Sequence, residues 1–125
     1  MPTIVRKSQS IVTETRREVY NAVAWYARPS VWSPPTDVYE TRERIIVRME
    51  IAGLRDEDLE VTVQNNLLMV SGNRSDTQER KAYHQMEIPF GRFSVGIELP
   101  ARINIEEAVA EYKDGFLTIR IPKET

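Results

Sequence analysis

Residues 93–123 read FSVGIELPARINIEEAVAEYKDGFLTIRIPK, and this stretch decides the fold. Phe93, Val95, Ile97 and Leu99 alternate with Ser94, Gly96 and Glu98. A period of two places the four apolar residues on one face of an extended strand. Pro100 ends it, because proline has no N–H to give to a ladder. Residues 108–112 and 116–121 then form two short runs joined by Lys113-Asp114-Gly115. Asp-Gly between such runs marks a hairpin, since the tight turn needs positive φ.

The same reading extends upstream. In residues 44–52, Ile45, Val47, Met49 and Ile51 take one face and Ile46, Arg48 and Glu50 the other, until Gly53 breaks the strand. Residues 54–58 are a polar turn with Asp56 as a cap. Leu59, Val61 and Val63 alternate with Glu60, Thr62 and Gln64. Asn65-Asn66 is a turn, because asparagine tolerates the left-handed region. Residues 67–71 are a continuous apolar strand, and 72–81 are loop-like. Residues 83–88 are a weaker strand, with Met86 and Ile88 alternating with Gln85 and Glu87. Residues 37–41 are a short edge strand. Seven or eight short strands without a long helix between them specify an all-β protein, an antiparallel immunoglobulin-like β-sandwich.

Ser33-Pro34-Pro35 is a stiff linker and the best boundary in the chain. It divides an arm, 1–33, from the sandwich, 34–122, and leaves a short tail at 123–125. Residues 1–9 carry no pattern. Residues 11–28 predict a short amphipathic helix ending before Pro29. Val12, Val19, Val23 and Tyr26 line one of its faces, and Trp25 and Trp32 crowd its exit. A helix this short is marginal alone in water. Its stripe needs a cover: the chain's own sandwich, another subunit, a lipid surface or a client protein.

The 125 residues suit one domain. There is no cysteine, which excludes disulfides and thiolate chemistry. No apolar run approaches the ~18 residues of a membrane span. The first residues lack the apolar centre of a secretory signal, and a cytoplasmic location is the expectation. The net charge of −2 conceals an asymmetry. Residues 1–33 hold five basic and two acidic side chains, net +3, and the remainder 12 and 17, net −5. Five cations spread over the arm are not the dense cluster of a nucleic-acid binder.

Catalysis finds little to work with. His84 is the one histidine, and a lone histidine on a strand is usually a packing or surface residue. Asp56-Glu57-Asp58 lacks the ligand spacing of a calcium loop. There is no glycine-rich phosphate loop and no nucleophile elbow. The reading is a non-enzyme without metal or cofactor. Apolar surface is more informative, because a small sandwich leaves edge strands that are sticky unless covered. Strands 59–64 and 108–112 are the candidates to accept an added strand. Leu59, Val61, Val63 and Val109 would line the groove between them.

Taken together these residues resemble the small heat-shock proteins and their α-crystallin domain. The resemblance runs from about Trp32 to Lys123. Its most specific part is Ala110-Glu-Tyr-Lys-Asp-Gly115-Phe-Leu117 with Ile121-Pro122-Lys123. Three further segments agree in order: 32–40, WSPPTDVYE; Leu68-Met-Val-Ser71-Gly72; and Phe90-Gly91-Arg-Phe93 with Leu99-Pro100. The chain has Val95 where the family often has arginine, and Ala52-Gly53 where Pro-Gly is usual.

The resemblance implies an ATP-independent holdase that binds partly unfolded clients. Val12, Val19, Val23, Trp25, Tyr26 and Trp32 would make the client contacts. It also implies a homodimer in which Tyr83, His84, Gln85, Met86, Glu87 and Ile88 pair with the partner subunit. The family's C-terminal I-x-I/V anchor has no counterpart here outside Ile119-Arg-Ile121, which belongs to the last strand. The expectation is therefore a dimer or small assembly held by the arm. The alternative is a β-sandwich adaptor, similar to the CS-domain co-chaperones, that binds one folded partner.

Overall fold

Strand Arg44–Glu50 shows how the alternation is used. Ile45, Val47 and Met49 are buried while Arg44, Arg48 and Glu50 are exposed. The computed structural model describes residues 3–4, 31–100 and 102–124. Eight strands are found there: β1 Thr3–Ile4, β2 Thr36–Glu40, β3 Arg44–Glu50, β4 Leu59–Gln64, β5 Leu67–Arg74, β6 Gly91–Glu98, β7 Val109–Lys113 and β8 Phe116–Pro122. They form two antiparallel sheets, one ordered β1-β7-β8-β3-β2 and the other β4-β5-β6. The expected helix over 11–28 lies outside the described residues, and with it Val12, Val19, Val23, Trp25 and Tyr26.

The inward faces of the sheets meet in one core. Val47, Met49 and Ile51 from the β3 side pack with Leu117, Ile119 and Ile121 of β8. Val61, Leu68, Val70 and Phe93 answer from the other sheet. Ile119-Arg120-Ile121 is strand, with both isoleucines in the core. Val95 also faces the core, opposite Val70. An arginine there would bring a charge that needs a partner inside the sandwich.

The turns follow the sequence signals. Asp114 and Gly115 have φ of 53° and 83°, the left-handed pair that joins twisted strands without splaying them. Asn65 has φ 55° in the β4–β5 turn. The short 3-10 turn Asp56–Asp58 is capped by Arg55 rather than Asp56. The Arg55 N–H donates to the Asp58 carboxylate at 2.9 Å.

Two segments depart from the expected pattern. Thr3–Ile4, given no element above, pairs antiparallel with β7, Thr3 opposite Tyr112 and Ile4 opposite Glu111. Residues 83–88, expected as a strand, are not strand in the single chain. The reason is topological. The β5–β6 ladder closes with Arg74 opposite Gly91, so residues 75–90 project beyond it with no adjacent edge of their own sheet to pair with.

Candidate functional site

The informative surface is the rim of the sandwich. Among the described residues, β2 and β4 each have an outer edge without a neighbouring strand. The outer edge of β7 carries β1 over two of its five residues. Leu59, Val61 and Val63 are buried in the core, so β4 presents main chain at its edge rather than these side chains. Val109 is different: it is 48% exposed at the start of β7.

The outer edge of β6 is covered by residue 32. The Trp32 N–H donates to the Arg92 carbonyl at 3.2 Å, and the Ser94 N–H donates to the Trp32 carbonyl at 3.1 Å. The indole N–H donates to the Gly91 carbonyl at 3.2 Å. Its ring packs on Phe93 with centroids 5.5 Å apart. Trp32 is thus half-buried against the core.

Residues 75–90 form an arm held at its base. The Arg74 guanidinium donates to the Pro89 carbonyl at 3.0 Å and to the Ala52 carbonyl at 3.2 Å. It also lies over the rings of Trp32 and Phe90, at 4.5 and 5.5 Å from their centroids. A fork of donors between two aromatic faces fixes this end of the arm, which a lysine's single ammonium would not reproduce. Beside it opens a cleft of about 640 Å³ lined by Trp32, Pro35, Ala52, Arg74, Ile88 and Phe116.

Further out, the arm folds on itself around Asp76. The Tyr83 hydroxyl donates to one carboxylate oxygen at 2.7 Å. The Lys81 ammonium reaches the same oxygen at 2.9 Å, and the Thr77 N–H donates to the other at 2.8 Å. The Tyr83 hydrogen bond, then Lys81, then the Thr77 amide hold the Asp76 carboxyl down at about 2. The same carboxylate raises Lys81 above the ordinary lysine value. Past this clasp, His84, Gln85, Met86, Glu87 and Ile88 are all exposed, Met86 and Ile88 at 63% each. On β2, Val38 and Tyr39 are exposed as well.

Residues 37–125 match the model of the Hsp20/alpha crystallin family. This chain belongs to that family. It is therefore a small heat-shock protein, from a family of chaperones. It is 30% identical over 122 residues to Small heat shock protein C4 of Rickettsia felis, covering 92% of this chain and 75% of the relative. It is 33% identical over 90 residues to the 17.4 kDa class I heat shock protein of Arabidopsis thaliana, covering 70% and 58%. Among solved structures, Heat shock protein 16.0 from Schizosaccharomyces pombe superposes with a TM-score of 0.67 at 30% identity, covering 73% of this chain and 86% of that one. The small heat-shock protein described here thus spans three-quarters of the bacterial relative's length and under two-thirds of the plant one's.

The structure gathers some of the sequence candidates and separates others. Tyr83, Met86 and Ile88 lie together on the projecting arm. Val109 stands on the opposite side of its sheet from β2. Reading the sequence missed Arg74 and Asp76. Neither sits in an alternating run, and nothing in a polar loop's composition says which side chain will hold it.

Proposed function

We propose that this protein is an ATP-independent holdase for partly unfolded clients, acting as a homodimer or small assembly and without catalysis. The observation that carries the reading is the placement of its exposed large apolar residues. Val38 and Tyr39 are on an edge strand, Tyr83, Met86 and Ile88 are on the projecting arm, and Val109 is on β7. A non-native chain offers extended backbone and apolar side chains together. Strand edges flanked by exposed apolar groups accept both. Burial contributes roughly 25 cal/mol per Å², so several weak patches in one assembly retain a client by avidity. The residues Val12, Val19, Val23, Trp25 and Tyr26 of the arm 1–33 add to that surface. The absence of cysteine suits a reducing cytoplasm.

The dimer follows from the same features. Residues 83–88 of one subunit add to the open edge of β2, Thr36–Glu40, in the partner. Both segments expose apolar side chains, Tyr83, Met86 and Ile88 on one and Val38 and Tyr39 on the other.

Light scattering of a heat-labile client tests the function. Aggregation is suppressed at stoichiometric amounts, equally with and without ATP. Undiminished scattering at excess, or capture of one folded partner at fixed stoichiometry, would reject the holdase.

A further inference from the structure

Alternation in residues 83–88 does not fix a register. Met86 and Ile88 would share one side of an extended arm, and β2 exposes Val38 on one face and Tyr39 on the other. Slipping such a segment by two residues along an edge keeps every side chain on its face, so the pattern leaves open which residue meets which. We infer that Asp76 is the positioning residue of the arm: by holding Tyr83 back against residue 76, it sets where the ladder between subunits begins. This inference rests on the pairing of residues 83–88 with the partner's β2 proposed above.

Both ends of the segment are gauged from nearly the same point of the sandwich. Asp76 lies two residues past Arg74, whose pairing with Gly91 closes the β5–β6 ladder. Its carboxylate takes the Tyr83 hydroxyl at 2.7 Å and the Lys81 ammonium at 2.9 Å. Lys81 also donates to the Thr77 hydroxyl at 2.9 Å and lies 5.4 Å from the centre of the Tyr83 ring. One exposed ion pair contributes little, but a carboxylate, an ammonium and a phenol that share partners act as a unit. At the other end Arg74 donates to the Pro89 carbonyl at 3.0 Å, and Pro89 has no N–H to give to a ladder. Pairing residues 81–86 with β2 would pull Lys81 and Tyr83 out of the clasp. Pairing residues 85–90 would need the missing N–H of Pro89 and break its contact with Arg74. Tyr83 stays 47% exposed within the clasp, so its ring is still open to a partner.

The test reads the register directly, in a full-length chain with no cysteine of its own. Val38→Cys on β2 is combined with a cysteine substitution at each of residues 84–88 in turn, and disulfides between chains are quantified under mild oxidation. Cysteines bridge efficiently only where their Cβ atoms face each other. With the clasp intact, one position cross-links at least tenfold more than the positions two residues to either side. Asp76→Ala and Tyr83→Phe, which remove opposite ends of the same hydrogen bond, each cut that ratio to threefold or less. Both residues lie outside the ladders, so the β-sheet circular dichroism is retained. Both arms of a two-fold dimer must be in register, so a threefold loss per arm weakens the dimer by about tenfold, read by sedimentation of the cysteine-free variants on dilution. An unshifted cross-link pattern in either variant would overturn the positioning role and leave the dimer standing. Disulfides at none of residues 84–88 in any chain would overturn the pairing with β2, and this inference with it.

Discussion

A methyl group added to Gly72 would sit 2.2 Å from the Asp58 carbonyl oxygen and 2.6 Å from the Phe93 ring. Neither neighbour can retreat: one is backbone and the other is the largest fully buried side chain. Gly72→Ala is expected to cost about 3 kcal/mol, read as a lower urea midpoint with an unchanged slope. Gly53 is the contrast. Its added methyl meets only the flexible Arg74 side chain at 3.6 Å, so the cost there is confined to its φ of 83°. Asp76 makes a prediction about pH. Its folded value is depressed from 3.8 to about 2, so the clasp's contribution is fully present above about pH 4. It is lost as pH falls through 2. Lys81 is shifted upward, so its share is lost only as pH rises past the ordinary lysine range. The Tyr83 ring resonances in NMR spectra should stay constant from pH 5 to 9 and move below pH 3. A midpoint near 4 would show that the carboxylate is not held.

At the scale of elements, the arm and the edge of β2 are the pair to disturb. Met86→Asp with Ile88→Asp places two charges where the proposed dimer buries apolar groups. Light scattering should then report a monomer, with the β-sheet circular dichroism retained because neither side chain touches the core. A variant that stays dimeric would remove residues 83–88 from the interface. The strands themselves were legible in the sequence wherever one face is buried. Val47 and Met49 against Arg48 and Glu50 is alternation imposed by the sandwich, and β4 was read to its end residues for the same reason. Residues 83–88 alternate too, yet are not strand in the single chain. Pairing requires a neighbour, and the neighbour is not in the same subunit's β5–β6 hairpin. The two paired residues of β1 have no pattern at all, because an open edge accepts extended backbone regardless of side chain.

For the whole molecule, the sandwich was legible because its signals agree: alternation, Asp114-Gly115, Asn65 and the prolines all point to short antiparallel strands. The working surface was less so. Val61 and Val63 read as groove or core with equal ease, and only the placement of two sheets shows that they are core. The rim is where the parts meet, and Trp32 decides its shape on one side. By lying along β6 it turns that flank into the inside of the structure. A chain trimmed to start at Pro34 would keep its hydrophobic centre but show a naked row of amides and carbonyls from Gly91 to Ser94. Copies would then butt flank to flank, and thioflavin-staining ribbons should grow from a preparation that the full-length chain keeps clear.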